Sequence, residues 1–154
     1  MKSGMTKTMF YGQYTSQIDT NRSITFPGHF LNELAGNIYM IQGFDRNLII
    51  MSENSFTKLY QRVIGLNMAD PLVRLLARLL LGNTVLTQLN EADKMQLSER
   101  LYDYAELSEE NQAVLVGQGD HVEIWSQPNW EKQNLDLQDS VTNANRFASL
   151  DLSF

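Results

Sequence analysis

Gln17-Ile18-Asp19-Thr20-Asn21-Arg22-Ser23-Ile24-Thr25-Phe26-Pro27 is answered 71 residues later by Gln88-Leu89-Asn90-Glu91-Ala92-Asp93-Lys94-Met95-Gln96-Leu97-Ser98. Each run is the end of a strand, a polar four-residue turn and a short alternating strand. Asp19 and Asn21 suit the turn because both accept an Asx-turned or left-handed backbone. Ile24 and Phe26 alternate on one face, which points them inward and Ser23 outward. A second correspondence lays Ile50-Met51-Ser52 to Phe56 on Ile124-Trp125-Ser126 to Trp130 at an offset of 74. A repeat of this length is too long for a solenoid unit and fits a duplicated small module. Each copy is expected to complete the other's core around a pseudo-twofold relation.

Outward from these turns the two halves share one order: strand, turn, strand, short helix, two strands, helix. Phe10 to Ile18 is rich in aromatic and β-branched residues and reads as a strand. Pro27 opens a short helix with Phe30, Leu31 and Leu34 on its buried stripe, and Gly36 ends it. Ile38 to Gln42 and Asn47 to Met51 form a hairpin around Gly43-Phe44-Asp45-Arg46. Phe56, Leu59, Tyr60, Val63 and Ile64 then recur at helical spacing. In the second half Val85 to Leu89, Lys94 to Leu97, Ala113 to Gly117 and Val122 to Trp125 are the strands. Helices begin at Ser98 and Pro128.

Between the halves, Asp70-Pro71 caps a helix that Gly82 terminates. Only Arg74 and Arg78 are polar among Leu72 to Leu81, so the helix needs cover on most sides. It is a connector or a subunit contact, and Arg74 and Arg78 mark the candidate oligomer interface. The expected organisation is a first module over 10–66, a connecting helix over 67–83, a second module over 84–133 and a polar, disordered tail over 134–154. The fold class is mainly β with short helices (α+β).

Composition excludes several chemistries. The chain has no cysteine and only two histidines, His29 and His121, which removes thiol nucleophiles and makes a histidine metal site improbable. No cofactor or metal is expected. Ser16, Ser52 and Ser126 have no base placed near them, and Glu106, Glu109 and Glu110 lack calcium-loop spacing. His121 beside Asp120 reads as a solvated loop residue, His29 as packed or capped, and Trp125 and Trp130 as core. An enzyme is not supported. No apolar run approaches the roughly 20 residues of a membrane span, and Met1 to Met9 lacks a secretory signal. A cytoplasmic protein without membrane contact is expected. The net charge of −6 is unevenly divided. Residues 1–83 carry eight Lys/Arg against five Asp/Glu, and residues 84–154 four against thirteen. The halves are therefore +3 and −9, which suits anion binding by the first half or head-to-tail attraction between subunits.

Gly43-Phe44-Asp45, Arg78-Leu79-Leu80-Leu81-Gly82 and Val114-Leu115-Val116-Gly117-Gln118-Gly119 before Glu123-Ile124-Trp125 occur in this order within the duplicated frame. From about Phe10 to about Trp130 the chain resembles the MraZ family of bacterial transcription regulators. The resemblance implies two AbrB-like swapped-hairpin modules closing a barrel, a ring-forming homo-oligomer, and association with the nucleoid. It also implies binding to double-stranded DNA with repeated boxes near division and cell-wall genes. In the family each half carries an Asp-x-x-x-Arg turn whose arginine is the implied DNA contact. Here Asp19 stands at the acidic position and Ser23 at the arginine position, with Arg22 one residue early; the second turn has Asn90 and Lys94. A turn shorter by one residue, with Ser23 in a bulge, puts Arg22 in the arginine's role, and both registers remain open. The implied DNA-binding set is Asp19, Asn21, Arg22, Ser23, Asn90 and Lys94. Apart from the resemblance, Lys2 and Lys7 either add diffuse attraction to phosphate or, as isolated N-terminal residues, do nothing specific. The competing expectation is an assembly protein of the same fold whose turns no longer hold DNA.

Overall fold

The computed structural model describes residues 9–152, so Lys2 and Lys7 lie outside the described residues. Eight strands and six helices follow in order: β1 (Gln13–Gln17), β2 (Ser23–Thr25), α1 (Gly28–Leu31), β3 (Ile38–Gln42), β4 (Leu48–Ser52), α2 (Glu53–Ile64), α3 (Pro71–Leu80), β5 (Val85–Thr87), β6 (Lys94–Gln96), α4 (Glu99–Tyr104), β7 (Gln112–Gly117), β8 (Val122–Ser126), α5 (Gln127–Asp136) and α6 (Ser140–Arg146). The expected order recurs in both halves. Side-chain oxygens cap the helix starts as their sequence suggests: Ser52 accepts from the Ser55 amide, Asp70 from Leu72, Ser98 from Leu101 and Ser126 from Asn129.

Strand pairing crosses between the halves. One antiparallel sheet runs β1-β7-β8-β4-β3-β5, and a separate two-stranded ribbon pairs β2 with β6. The order reads alike from either end when the halves are exchanged: β1 lies on β7, β5 on β3, and β4 meets β8 at the centre. The barrel is not closed, because the ribbon shares no ladder with the sheet. Thr25 still reaches β1 through its amide, which donates to Ser16 Oγ at 3.0 Å.

Period-two alternation sorts the sheet into two apolar faces. The inner face, with Ile38, Met40, Leu48, Ile50, Leu115, Val122 and Ile124, meets Ile24, Phe26, Met95 and Leu97 from the ribbon and Phe30 and Leu101 from α1 and α4. Ile24 and Phe26, expected to point inward, are buried, and so are Leu48, Met95, Leu97 and Val122. The outer face carries two smaller clusters. Ile41 and Met51 pack beneath Val63 of α2 and Leu80 of α3, while Val114, Val116 and Trp125 pack beneath Trp130 of α5.

Two further contacts tie the halves. Tyr104 of α4 donates its hydroxyl to Gly43 O at 2.7 Å, and Arg46 lies over the same ring at 4.9 Å. Phe10 bridges to Gly119 by paired backbone bonds of 2.8 Å. Gly117 N donates to Gly12 O there, and a Cβ on Gly117 would collide with the Tyr11 backbone. Gly119 turns the chain at φ +83, a left-handed conformation that glycine adopts without steric cost.

The cover expected for α3 is not supplied within one chain, and the expected disorder of the tail is corrected. Helix α3 buries only Leu80 fully and leaves Leu72 and Leu75 mostly exposed, so the single chain does not cover it on most sides. The tail is helical where aperiodicity suggested disorder: α5 continues to Asp136 and α6 spans Ser140–Arg146. Asp139 caps α6 by accepting from Thr142 N, and Arg146 grips the Asp136 carboxylate through two bonds of 2.8 and 3.1 Å. Local caps and an ion pair order this hairpin without a buried apolar stripe.

Ile24 and Met95 sit directly opposite one another in the ribbon and are both fully buried. Ile24→Ala and Met95→Ala should each cost about 2–5 kcal/mol in urea denaturation. Because the residues touch across the module junction, the double variant should differ from the sum. Strict additivity would contradict the pairing.

Candidate nucleic-acid interface

The two turns have one construction. Asp19 N donates to Ser23 O at 3.1 Å and Arg22 N to Asp19 O at 3.1 Å; Asn90 N donates to Lys94 O at 2.8 Å and Asp93 N to Asn90 O at 3.0 Å. Asp19 Oδ1 accepts from the amides of Asn21 and Ser23 at 3.2 and 2.8 Å, and Asn90 Oδ1 from those of Ala92 and Lys94 at 2.8 and 3.0 Å. The carboxylate and the amide oxygen thus perform the same Asx closure. The last residue of each turn is left-handed, Arg22 at φ 65 and Asp93 at φ 60. Ser23, Ile24 and Thr25 then pair in unbroken register with Gln96, Met95 and Lys94. No bulge absorbs Ser23. Ser23 and Lys94 are therefore the equivalent positions, and Arg22 occupies the turn itself, at the place that Asp93 holds in the second turn.

Ser23 does not face outward. It is 3% exposed. Its own turn covers it, and the Asn21 side-chain nitrogen, in the orientation its neighbours favour, donates to Ser23 Oγ at 3.0 Å and to the Asp19 carboxylate. Alternation correctly places Ile24 and Phe26 inward, but the folded-back turn roofs the opposite side of the strand. Ser23 is a structural residue of the turn in this position.

Pairing β2 with β6 brings the two turns together, although about half the chain separates them. Lys94 Nζ lies 3.2 Å from Asp19 Oδ2, with the two side chains 38% and 35% exposed. Arg22 donates Nε to Leu97 O at 3.1 Å, and its own carbonyl accepts from Leu97 N at 2.9 Å. The two Nη groups of Arg22 have no hydrogen-bond partner among the described residues. Gln96 Nε2 donates to Asn21 O at 2.9 Å. Gln96 and Leu97 were not singled out from the sequence. Their part depends on which strands pair, although Lys94 and Gln96 share one face of a strand by alternation.

The candidate set divides as follows. Asp19, Asn21, Arg22, Ser23, Asn90 and Lys94 all belong to the paired turns and are brought to one end of the ribbon. Arg74 and Arg78 lie elsewhere, on α3. Arg74 is held internally, donating Nη1 to Met68 O and Ala69 O at 3.1 Å each, whereas Arg78 is exposed. His29 is exposed but packs against Tyr11, Tyr14 and Phe30 rings and shares a 3.2 Å hydrogen bond with Tyr14. Trp125 is buried, as expected, and Trp130 only partly so. Among the described residues no group of His, Asp and Glu is arranged to hold a metal, and no helix is long and apolar enough to cross a membrane.

The amide of Ser23, foremost, holds the Asp19 carboxyl below its ordinary range; partial desolvation opposes this, and Lys94 and the Asn21 amide reinforce it. A depressed carboxyl contributes stability above its unfolded value of about 3.9 and loses it as pH falls through the lower folded value. A carbon-detected titration of Asp19 should show a midpoint below about 3.9, and Lys94→Met should raise it. A midpoint at or above that value in the unmodified chain would contradict the closure.

Comparisons with known proteins agree with one another. Residues 80–150 match the family described as "MraZ protein, putative antitoxin-like". The chain is 30% identical over 143 residues to the transcriptional regulator MraZ of Alkaliphilus oremlandii, covering 92% of this chain and 99% of that protein. It is 31% identical over 123 residues to the protein of the same name from Nocardia farcinica (80% and 85%), and 29% identical over 126 residues to that from Dictyoglomus thermophilum (82% and 85%).

Proposed function

The chain belongs to the MraZ family, and on that premise we propose that it is a transcriptional regulator that binds double-stranded DNA through the paired turns of the β2–β6 ribbon. One observation carries this reading. Arg22 is fixed at its Nε and left-handed backbone while its two Nη groups remain unpaired among the described residues. An arginine held by Nε presents its Nη pair end-on, in the fork that grips guanine O6 and N7 or a phosphate. Asp19 and Asn90 brace their turns, Asn21 and Ser23 complete the first, and the first half supplies the positive field. The second turn is weaker, since Glu91 and Asp93 flank Asn90 and an aspartate occupies the place of Arg22.

The fold part of the reading is a duplicated AbrB-like swapped-hairpin unit, with modules over 10–66 and 84–133 joined through 67–83. The strand order that survives exchange of the halves supports it. Assembly into a ring larger than a dimer is supported by the exposed apolar side of α3, where Leu72 and Leu75 lie beside Arg74 and Arg78, and by the opposite charges of the halves. A ring multiplies weak turns by effective concentration, which suits repeated boxes. The expected targets are boxes upstream of division and cell-wall genes, reached in the cytoplasm at the nucleoid.

In fluorescence anisotropy with a duplex of repeated boxes from its own upstream region, the chain should bind, and more weakly as salt rises. Arg22→Ala should cost about 1–3 kcal/mol if Arg22 reads a base, and more than Lys94→Ala. The reverse ranking would refute the role of the first turn. Absence of binding would leave the assembly-protein reading in place. Light scattering at moderate salt should show a species larger than a dimer; a monomer at micromolar concentration would overturn the ring.

A further inference from the structure

The two turns carry one cation each beside the ribbon, but the structure gives those cations different surroundings. Arg22 is anchored through a neutral partner, since its Nε donates to a backbone carbonyl and it forms no ion pair among the described residues. Lys94 instead spans the module junction to the Asp19 carboxylate at 3.2 Å. Asp19 cannot readily turn away to release it, because Asp19 Oδ1 is committed to the amides of Ser23 and Asn21. The ammonium and the carboxylate together present no net charge to a polyanion.

We infer that Lys94 is a positioning residue of the DNA-reading turn and not a phosphate contact: it neutralises Asp19 across the module junction, leaving Arg22 as the one cation of the paired turns that each chain offers to DNA. The inference rests on the reading of the ribbon as the DNA-binding element and assigns unequal work to its two turns. A carboxylate is needed at neither turn for closure, because Asn90 performs the same closure with an amide oxygen. The charge of Asp19 therefore brings a cost beside DNA that Lys94 removes. Gln96 continues the bracing on the same strand face through its bond to Asn21 O, so β6 acts as a scaffold for the first turn.

Counterion release separates contact from bracing. Each phosphate neutralised adds about 0.9 to the slope of log affinity against log salt. The full-length chain and its Arg22→Met, Lys94→Met, Asp19→Asn and Asp19→Asn/Lys94→Met variants would be titrated with repeated-box duplex across salt concentrations. Lys94→Met should weaken binding several-fold at unchanged slope, because it exposes Asp19 to the DNA. The double variant, whose first turn then closes through an amide as the second does, should recover to within about twofold of the unmodified chain. A slope reduced by about 0.9 in Lys94→Met, or no recovery in the double variant, would overturn the inference. Circular dichroism melts of each variant exclude unfolding as the cause of a loss. Failure of the underlying reading has a separate signature: no binding by the unmodified chain, or full binding by Arg22→Met.

Discussion

Ile24 and Met95 face each other in a two-stranded ribbon that neither half of the chain can make alone. The other long-range features of the fold are consistent with that pairing. Once β2 lies on β6, the preceding strands are carried across the junction, β1 to β7 and β5 to β3. The ribbon's apolar side then closes the inner face of the sheet, and its turns are left side by side at one end. Burial of Ile24, Phe26, Met95 and Leu97 supplies the driving force, and the Asx closures of Asp19 and Asn90 set where each strand begins.

Much of this was legible because it is local. Alternation identified Ile24 and Phe26 as core, and the repeat lays Met95 and Leu97 on them. Asp and Asn at the head of each polar run marked the turns, and the 71-residue offset matched residues that adopt the same backbone, down to the left-handed Arg22 and Asp93. What was not legible is non-local. Alternation says which way a side chain points from its own strand, not which strand lies beside it. The Lys94–Asp19 contact, the bond from Arg22 to Leu97 O and the part of Gln96 were therefore invisible. Ser23 was misplaced for a related reason, since the turn folding back over it is a tertiary event. The tail's order comes from the Asp139 cap and the Arg146–Asp136 pair, neither of which leaves a trace in apolar periodicity. Asp139 three residues before Thr142 was a readable cap signal.

The shared construction of the two turns also leaves room for them to differ. The closure needs only an oxygen acceptor at the first position and tolerance of a left-handed residue at the fourth. Within that constraint one copy carries Asp19 and Arg22, and the other Asn90 and Asp93. A shared backbone with unlike charges fits the proposed division, in which one turn approaches a polyanion while the other supports it. The same asymmetry extends to the halves as a whole, +3 against −9, and to the helices outside the sheet, where α3 exposes leucines beside Arg78. On the proposed reading, one division of charge would serve both DNA attraction and association between copies.

The most direct measurement is amide hydrogen exchange of the full chain with and without a repeated-box duplex. In the free chain the ribbon amides, buried between the halves, should exchange among the slowest. On adding DNA, new protection should appear at residues 19–23 and the adjoining face of β6. Protection at the β3–β4 turn or over α2 and α3, with none at the ribbon turns, would contradict the assignment of the ribbon as the DNA-binding element.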